Sequence, residues 1–357
     1  MSSLPALGYS LYHRTRSVRL TVTTSDGEVV TVENMDGNDG FFLAFDCTRT
    51  MDGSPGECTV TAYNLPPDVL GKIEAAQVAK VDDIDALLVG KDLLPQIAAD
   101  GSDALAAGFL IMEIEAGYDG DVSRVFKAVG ARMSSAPDSD DVTLVTTIRA
   151  TENLDGALLG LPLTAFEAGA TLFAVLDYLR RAAGLGEGNL SPATLASILG
   201  QSTISSPYVV SGGQALGHIN NVLQYLPIRW FIDDRDFWLC ARDEVPSPTI
   251  PPADPWVADG PPELLPPIVT RPSRDDAGRV NLTTLLAPYV RPGRLVRLTV
   301  DGLALAQQGL SASAAQVARA NVPPGRYRVE SVQHRGSTGG GEFLTSMVLR
   351  PVLAPDF

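Results

Sequence analysis

Residues 110–130 constrain the fold most. Leu110, Met112, Ile114 and Ala116 alternate with Ile111, Glu113 and Glu115, the period of two that a half-buried strand imposes. Gly117 and then Asp119-Gly120-Asp121 supply residues that tolerate the left-handed backbone of a reversal. Residues 125–129 read as the returning strand, stopping at Gly130. A chain built around such a hairpin must bury one face of a sheet.

The same alternation recurs toward both ends. Val18, Leu20 and Val22 lead to Asp26-Gly27 and then to residues 29–32, a hairpin with an expected two-residue turn. Phe41, Leu43, Phe45 and Cys47 form another strand, and Cys58, Val60 and Ala62 run back after the turn at 52–56. Asn64-Leu65-Pro66-Pro67-Asp68 then ends the strand and opens a helix, since proline is tolerated in a first turn. Val69, Ile73 and Ala76 mark its apolar stripe. Residues 80–108 mix aspartates with leucines around Gly90 and Pro95 and read as a surface insertion of one or two short amphipathic helices. A polar loop over 134–141 leads to the strand of Val142, Leu144, Thr146 and Ile148. Strands and one helix over 1–150 make a β-barrel-like first domain.

Residues 151–244 differ. Leu172, Val175, Leu176 and Leu179 are helically spaced up to Gly184, Ser191-Pro192 starts a short helix ending at Gly200, and a third helix carries Leu216, Ile219, Leu223 and Leu226. Residues 228–232 and 237–241 then flank Asp233-Asp234-Arg235-Asp236 as a hairpin, completing an α+β module. Ten of the chain's 26 prolines fall between Pro246 and Pro272, so 245–272 reads as a semi-rigid linker. Over 273–357 strands return: 280–286, 294–300, 326–334 and 343–349, with an Ala/Gln-rich helix or loop at 304–320.

Charge and cysteines narrow the function. The net charge is −15, which disfavours a protein that grips nucleic acid through its phosphates. Residues 81–157 carry fifteen acids against five bases, while 286–357 carry eight arginines against four acids; unlike surfaces of this kind suit stacking between unlike partners. No apolar run approaches the roughly 20 residues of a membrane helix, and the N-terminal stretch has no positive region before its apolar patch, so an intracellular product is expected. Cys47 and Cys58 flank the turn at 52–56 symmetrically. A disulfide between them is geometrically open, but a reducing compartment favours buried thiols.

Catalytic and metal motifs are missing. His13, His218 and His334 each stand alone, without ligand spacing, and no nucleophile elbow, phosphate loop or zinc-protease motif is present. Residues 184–188 are glycine-rich but follow a helix rather than a strand, and Asp82-Asp83-Ile84-Asp85 lacks the glycine and distal Glu of a calcium loop. No catalytic residue, metal ligand or cofactor is assigned, and no enzyme is expected.

Two stretches carry a resemblance. CTVTAYNLPPDVLGKI (58–73) with MEIEAGYDGDVSRVFKAVG (112–130) resembles the N-terminal part of baseplate hub proteins of contractile-tailed bacteriophages. NLTTLLAPYVRPGRLVRLTV (281–300) with GRYRVESVQHRGSTGGGEFLTSMVL (325–349) resembles the C-terminal part. In this likeness 110–130 is the counterpart of 326–349. The insertion at 80–108, Ser337-Thr338 after the His and Gly, and the long proline-rich stretch depart from the family pattern. The resemblance implies a mainly β chain with an α+β middle module and two tail-tube-like β-barrel domains, assembling as a homotrimeric ring. Two such domains in each of three chains would face a hexameric tail tube on one side and a trimeric spike on the other. It further implies no cofactor, contacts with tape measure and baseplate wedge proteins, DNA only in transit through a channel, and a place in the virion tail baseplate after assembly in the host cytoplasm. Some acids of 81–157, with Glu113 and Glu115 among the candidates, are expected to line that channel or a subunit face. A hub of a related injection or type VI-like secretion apparatus has the same appearance. A cell-wall hydrolase would need an acid pair in a module for which no segment is free, and a glycan-binding β protein would need more than 6% aromatics.

Overall fold

The computed structural model describes residues 15–24, 27–35, 41–78, 110–137, 143–152, 161, 163–199, 203–212, 214–241, 263–265, 268–270, 272–298, 322 and 324–352. Strands dominate. β1 (Arg16–Thr23), β2 (Val29–Met35), β3 (Phe42–Thr50) and β4 (Glu57–Tyr63) precede helix α1 (Pro67–Val78), and β5 (Ile111–Tyr118), β6 (Asp121–Pro137) and β7 (Leu144–Thr151) complete the first unit. The alternation works as expected. Val18, Leu20, Leu43, Phe45, Val60, Met112, Ile114 and Ile148 all point into one buried core, closed by Leu65 and by Ile73 of α1. Burying each such side chain contributes about 1.5–3 kcal/mol.

The middle module packs helices α2 (Leu172–Ala182), α3 (Pro192–Leu199) and α4 (Ala215–Leu223) with two small hairpins, β8 (Thr164–Phe166) with β9 (Tyr208–Val210) and β10 (Ile228–Asp233) with β11 (Asp236–Ala241). Thr171 caps α2 through its side chain, and Gly184, at φ 67°, follows its end. Trp230, Ile232, Phe237 and Leu239 bury with the helices, so the 228–241 hairpin belongs to this module's core and not to the first sheet. The second β unit comprises β12 (Glu263–Leu264), β13 (Ser273–Arg274), β14 (Val280–Leu285), β15 (Leu295–Leu298), β16 (Gly325–Ser337) and β17 (Phe343–Pro351). Its own core includes Val280, Leu282, Val296, Tyr327, Val329, Met347 and Leu349.

Several local expectations need correction. The β1–β2 connection is not closed as a two-residue turn: Thr24 N donates to Glu28 O at 2.8 Å, and Gly27, at φ 85°, donates to Thr24 O at 2.9 Å. The two-residue turns are instead at Asp119-Gly120 (φ 56° and 80°) and Asp234-Arg235 (φ 52° and 72°), the twist-matched geometry of tight hairpins. β6 does not stop at Gly130. It runs on to Pro137 through a bulge between Val129 and Arg132, so residues 134–137 are strand rather than loop. The proline-rich stretch is not only a linker, because Glu263–Leu264 pairs in parallel with β15. Cys47 and Cys58 are register partners 4.0 Å apart at Cα and are joined as a disulfide. That separation belongs to a non-hydrogen-bonded pair, where facing side chains come closest, and it overrides the expectation of two thiols. The expected elements at 80–108 and 304–320 lie outside the described residues.

The two β units share one sheet. Its order is β13-β14-β17-β16-β3-β4-β7-β6-β5-β1-β2, with β15 pairing to β12 and β16. The path is open among the described residues, with β13 and β2 at its ends. It contains a five-strand antiparallel order twice, β3-β4-β7-β6-β5 in the first unit and β13-β14-β17-β16-β15 in the second; beyond them β1 adds to β5 antiparallel, whereas β12 adds to β15 in parallel. Ile148 lies between Val60 and Met133 as Met347 lies between Leu282 and Val332. Two residues earlier, Thr146 and Thr345 are both fully buried. Thr146 Oγ1 bonds the Ser135 hydroxyl at 3.1 Å, and Thr345 Oγ1 bonds His334 Nδ1 at 2.9 Å. The counterpart of β16–β17 is therefore β6–β7, one strand further along than the sequence likeness placed it. Thr345 also accepts from Ala287 N at 2.8 Å, a bond Thr146 lacks. Thr345→Val strands two buried polar groups and is expected to cost about 2–3 kcal/mol, against about 1 kcal/mol or less for Thr146→Val, as read by urea unfolding.

Candidate functional site

Three features organise the chain: the joint between its β units, the lock that holds the middle module, and the exposed face of the sheet. The joint is built by β16. Its first part pairs with β15 over Gly325–Arg328, and its second pairs with β3 from Ser331↔Thr50 to Ser337↔Ala44, on the same side. A bulge between Val329 and Ser331 separates the two parts and adds the local twist such a change of partner needs. Gly336 lies opposite Phe45, and a Cβ there would come within 2.5 Å of that ring. Phe343 fills the space beyond, edge-on to Phe45 and Tyr118 with ring centres 6.3 and 5.2 Å away.

The lock follows from strand parity. Leu43, Phe45 and Cys47 point inward, and so must Arg49, while inward Thr146, Ile148 and Ala150 lead to Glu152. The turn of β10–β11 meets them. Arg49 Nε donates to Glu152 at 2.7 Å, Nη1 to Val125 O at 2.6 Å and Nη2 to Asp234 at 2.5 Å. Glu152 also accepts from the backbone N–H groups of Gly56 and Asp234, both at 3.0 Å. Arg291 Nη1 reaches Asp233 at 2.9 Å and Asp234 at 2.7 Å, its Nη2 donates to Arg124 O at 2.9 Å, and Arg124 Nε lies 3.0 Å from Asp234. Three guanidinium groups thus meet three carboxylates. The Arg49 guanidinium also lies over the Phe126 ring, 4.5 Å from its centre.

Burial and charge set the protonation states. Burial pushes Glu152 up to about 7, against the pull of Arg49. Burial works against Arg49 as well, but Glu152, Asp233 and Asp234 outweigh it and hold the guanidinium charged. Burial would raise Asp234, yet Arg49, Arg291 and Arg124 bring it below the ordinary carboxylate range. Nearby His334 is pressed down to about 3 by burial, and then by Arg49 and Arg291. The neutral ring fits between the Thr345 hydroxyl and Val290 O, 3.1 Å from Nε2.

Oxygens of Glu152, Asp233 and Asp234 lie within 4.8 Å of one another, a spacing a cation could bridge. Each of these carboxylates already accepts from a guanidinium, and an added cation would have to displace Arg49 or Arg291. The cluster is a structural joint between module and sheet. His218 is held by Tyr208 Oη at 2.9 Å and Gly212 O at 2.8 Å, with no acid beside it in these contacts. The sequence places 233–236 as the turn of a hairpin and gives it no partner. The usable signal was a charged residue at the inward position of an alternating strand, twice over, at Arg49 and Glu152.

On the opposite face, β14, β17, β16, β3, β4 and β7 carry a polar band in which Thr, Ser, Asn and Gln side chains are mixed with Asp46, Glu57, Arg149 and Arg335. Thr283 bonds Ser346 at 3.0 Å and Gln333 donates to Asp46 at 2.7 Å, and a shallow groove of about 320 Å³ crosses this band. Glu115 pairs with Arg19 at 2.9 Å and Glu113 lies 3.6 Å from Arg124, so the two acids singled out in the sequence are charge-compensated on β5. Asp82 to Asp103 and Asp138 to Asp141 lie outside the described residues.

No protein-family model matches the sequence, and no curated protein matches it. Solved structures with a similar course include the 43 kDa tail protein of prophage MuSo2 from Shewanella oneidensis, at 9% identity over 93% of this chain and 96% of that one, with TM-score 0.49. A tail protein from Neisseria meningitidis aligns at 9% identity over 93% and 96% of the two chains, with TM-score 0.44. An E. coli component of the type VI secretion system aligns at 8% identity over 87% and 73%, with TM-score 0.43. No described helix is long and apolar enough to cross a membrane.

Two measurements test the lock and its neighbour. Arg49→Met leaves buried carboxylates uncompensated and is expected to cost about 3–5 kcal/mol, read as a fall in the denaturant midpoint. His334 has a folded pKa below its ordinary 6.5, so its contribution is present above 6.5 and is lost as pH falls toward about 3. The stability difference between wild type and His334→Gln should therefore shrink steadily on acidification below pH 6.5, in paired unfolding titrations.

Proposed function

We propose that this protein is the structural baseplate hub of a phage contractile tail, joining a hexameric tail tube to a trimeric spike and forming part of the DNA channel. The observation that carries the reading is the repeated strand order within one chain, because three copies would present six similar units. A ring of that kind has sixfold character toward a tube and true threefold symmetry toward a spike. The motifs of 58–73, 112–130, 281–300 and 325–349 support the same reading. Residues 1–150 and 273–357, with Glu263–Leu264 added to the second, are then the two tube-like domains, 151–244 the module between them, and the rest of 245–272 the link.

Function on this reading is geometry rather than catalysis. The hub holds tube and spike through contraction, with tape measure and wedge proteins as further neighbours in the virion. We assign the channel wall to the polar band of β14, β17, β16, β3, β4 and β7. Hydroxyl and amide side chains are the commonest groups on that face and Arg335 is paired with Glu342 at 2.9 Å, so DNA phosphates would meet no dense array of cations, the usual source of non-specific affinity.

Mass in solution and negative-stain images test the reading. A threefold ring near three times 37.7 kDa is the expected result. A stable monomer that stays monomeric with the spike present would sink it.

A further inference from the structure

The two repeats differ at one edge. In the second unit, the part of β16 beyond its bulge pairs with β3 of the first unit. In the first unit, the equivalent part of β6, from Arg132 to Pro137, pairs with β7 on one side only, since β5 is used up by Asp121–Val129. Among the described residues no strand covers the other side, and residues 134–137 are exposed. At the far end of the sheet β13 is equally uncovered on its outer side and exposed. β13 occupies in the second unit the place that β3 holds in the first.

We propose that β6 of one copy pairs with β13 of a second copy, antiparallel, repeating between chains the β16:β3 joint seen within one. This rests on the ring reading above and names the edge that closes it. An open strand edge is a template for a matching edge, and here the chain itself displays the matching arrangement. The contact is head-to-tail, so it can propagate around a ring. The repeat also fixes the register. Val332 corresponds to Met133 and Leu282 to Val60, each holding the same place beside Met347 or Ile148. Arg335 pairs with Asp46 in the internal joint. Carried across, Ala136 should face Ser273 of the neighbouring copy.

The test is a thiol cross-link in the full-length protein carrying both Ala136→Cys and Ser273→Cys, with each single variant as control. Treatment with a short bis-maleimide should give covalent dimers and closed trimers for the double variant, and nothing above background for either single one. A protein that sediments as a trimer yet does not cross-link would overturn this edge and leave the hub reading standing. A protein that sediments as a monomer and does not cross-link would overturn both. Cross-linking in the Ala136→Cys variant alone would mean that two β6 edges meet, and would replace the head-to-tail contact by a symmetric one.

Discussion

A β-strand has two edges, and the architecture depends on how β16 divides one of them. Its outer edge belongs wholly to β17, while the other serves β15 first and β3 afterwards. An unpaired row of backbone groups would be costly to bury, so once β15 ends another strand must continue the ladder. β3 does so, and two β units that could have been separate bodies become one sheet. Phe343 packing among Phe45 and Tyr118 places apolar area at the same seam. Hydrogen bonds set the register of the joint, and the aromatic contacts add burial to it.

The buried charge cluster does a different job. Ion pairs removed from water are not a general source of stability, because desolvation offsets much of the attraction. Their value lies in what happens when a partner is absent. Arg49 comes from the first unit, Asp233 and Asp234 from the middle module and Arg291 from the second unit. A hairpin that failed to dock would remove Asp234 from Arg49 Nη2 and the Asp234 N–H from Glu152, leaving a buried donor and a buried acceptor unsatisfied. Docking is therefore specified more sharply than apolar packing alone would specify it, since Met51, Phe231 and Cys240 add only a small apolar contact nearby.

Periodicity in the sequence was enough for the strands and helices that carry a clean apolar face. Val18 to Val22, Leu43 to Cys47, Cys58 to Ala62 and Leu172 to Leu179 all bury the face their spacing indicates. Partnership was less legible. The 110–130 hairpin and the 326–349 hairpin look alike because both are alternating strands around a glycine turn, yet the repeat aligns the second with β6–β7. Deciding between those alignments requires knowing that β4 lies beside β7 as β14 lies beside β17, and such non-local pairs leave no mark on local periodicity. Gly130 misled for a related reason: glycine within a strand marks a bulge as readily as an end. The charge cluster was half legible. Parity alone sends Arg49 and Glu152 inward, but the identity of their partners in the 233–236 turn depends on tertiary docking.

Duplication within one chain explains why the two repeats are allowed to diverge. In a ring of identical subunits every seam has the same chemistry. Here the seam inside the chain can be fixed permanently, with an aromatic plug at Phe343 and a glycine at 336 that lets strands approach closely. The proposed seam between chains has no such plug: its β6 edge carries Ser134, Ser135 and Ala136 and ends in Pro137, which has no N–H to give. A short, proline-ended edge discourages pairing with arbitrary strands, which on the proposed reading would protect the monomer until a second copy presents its own β13. Strong packing inside the chain and a weaker, selective edge outside it would order assembly in time, with each pair of units formed before any ring can close.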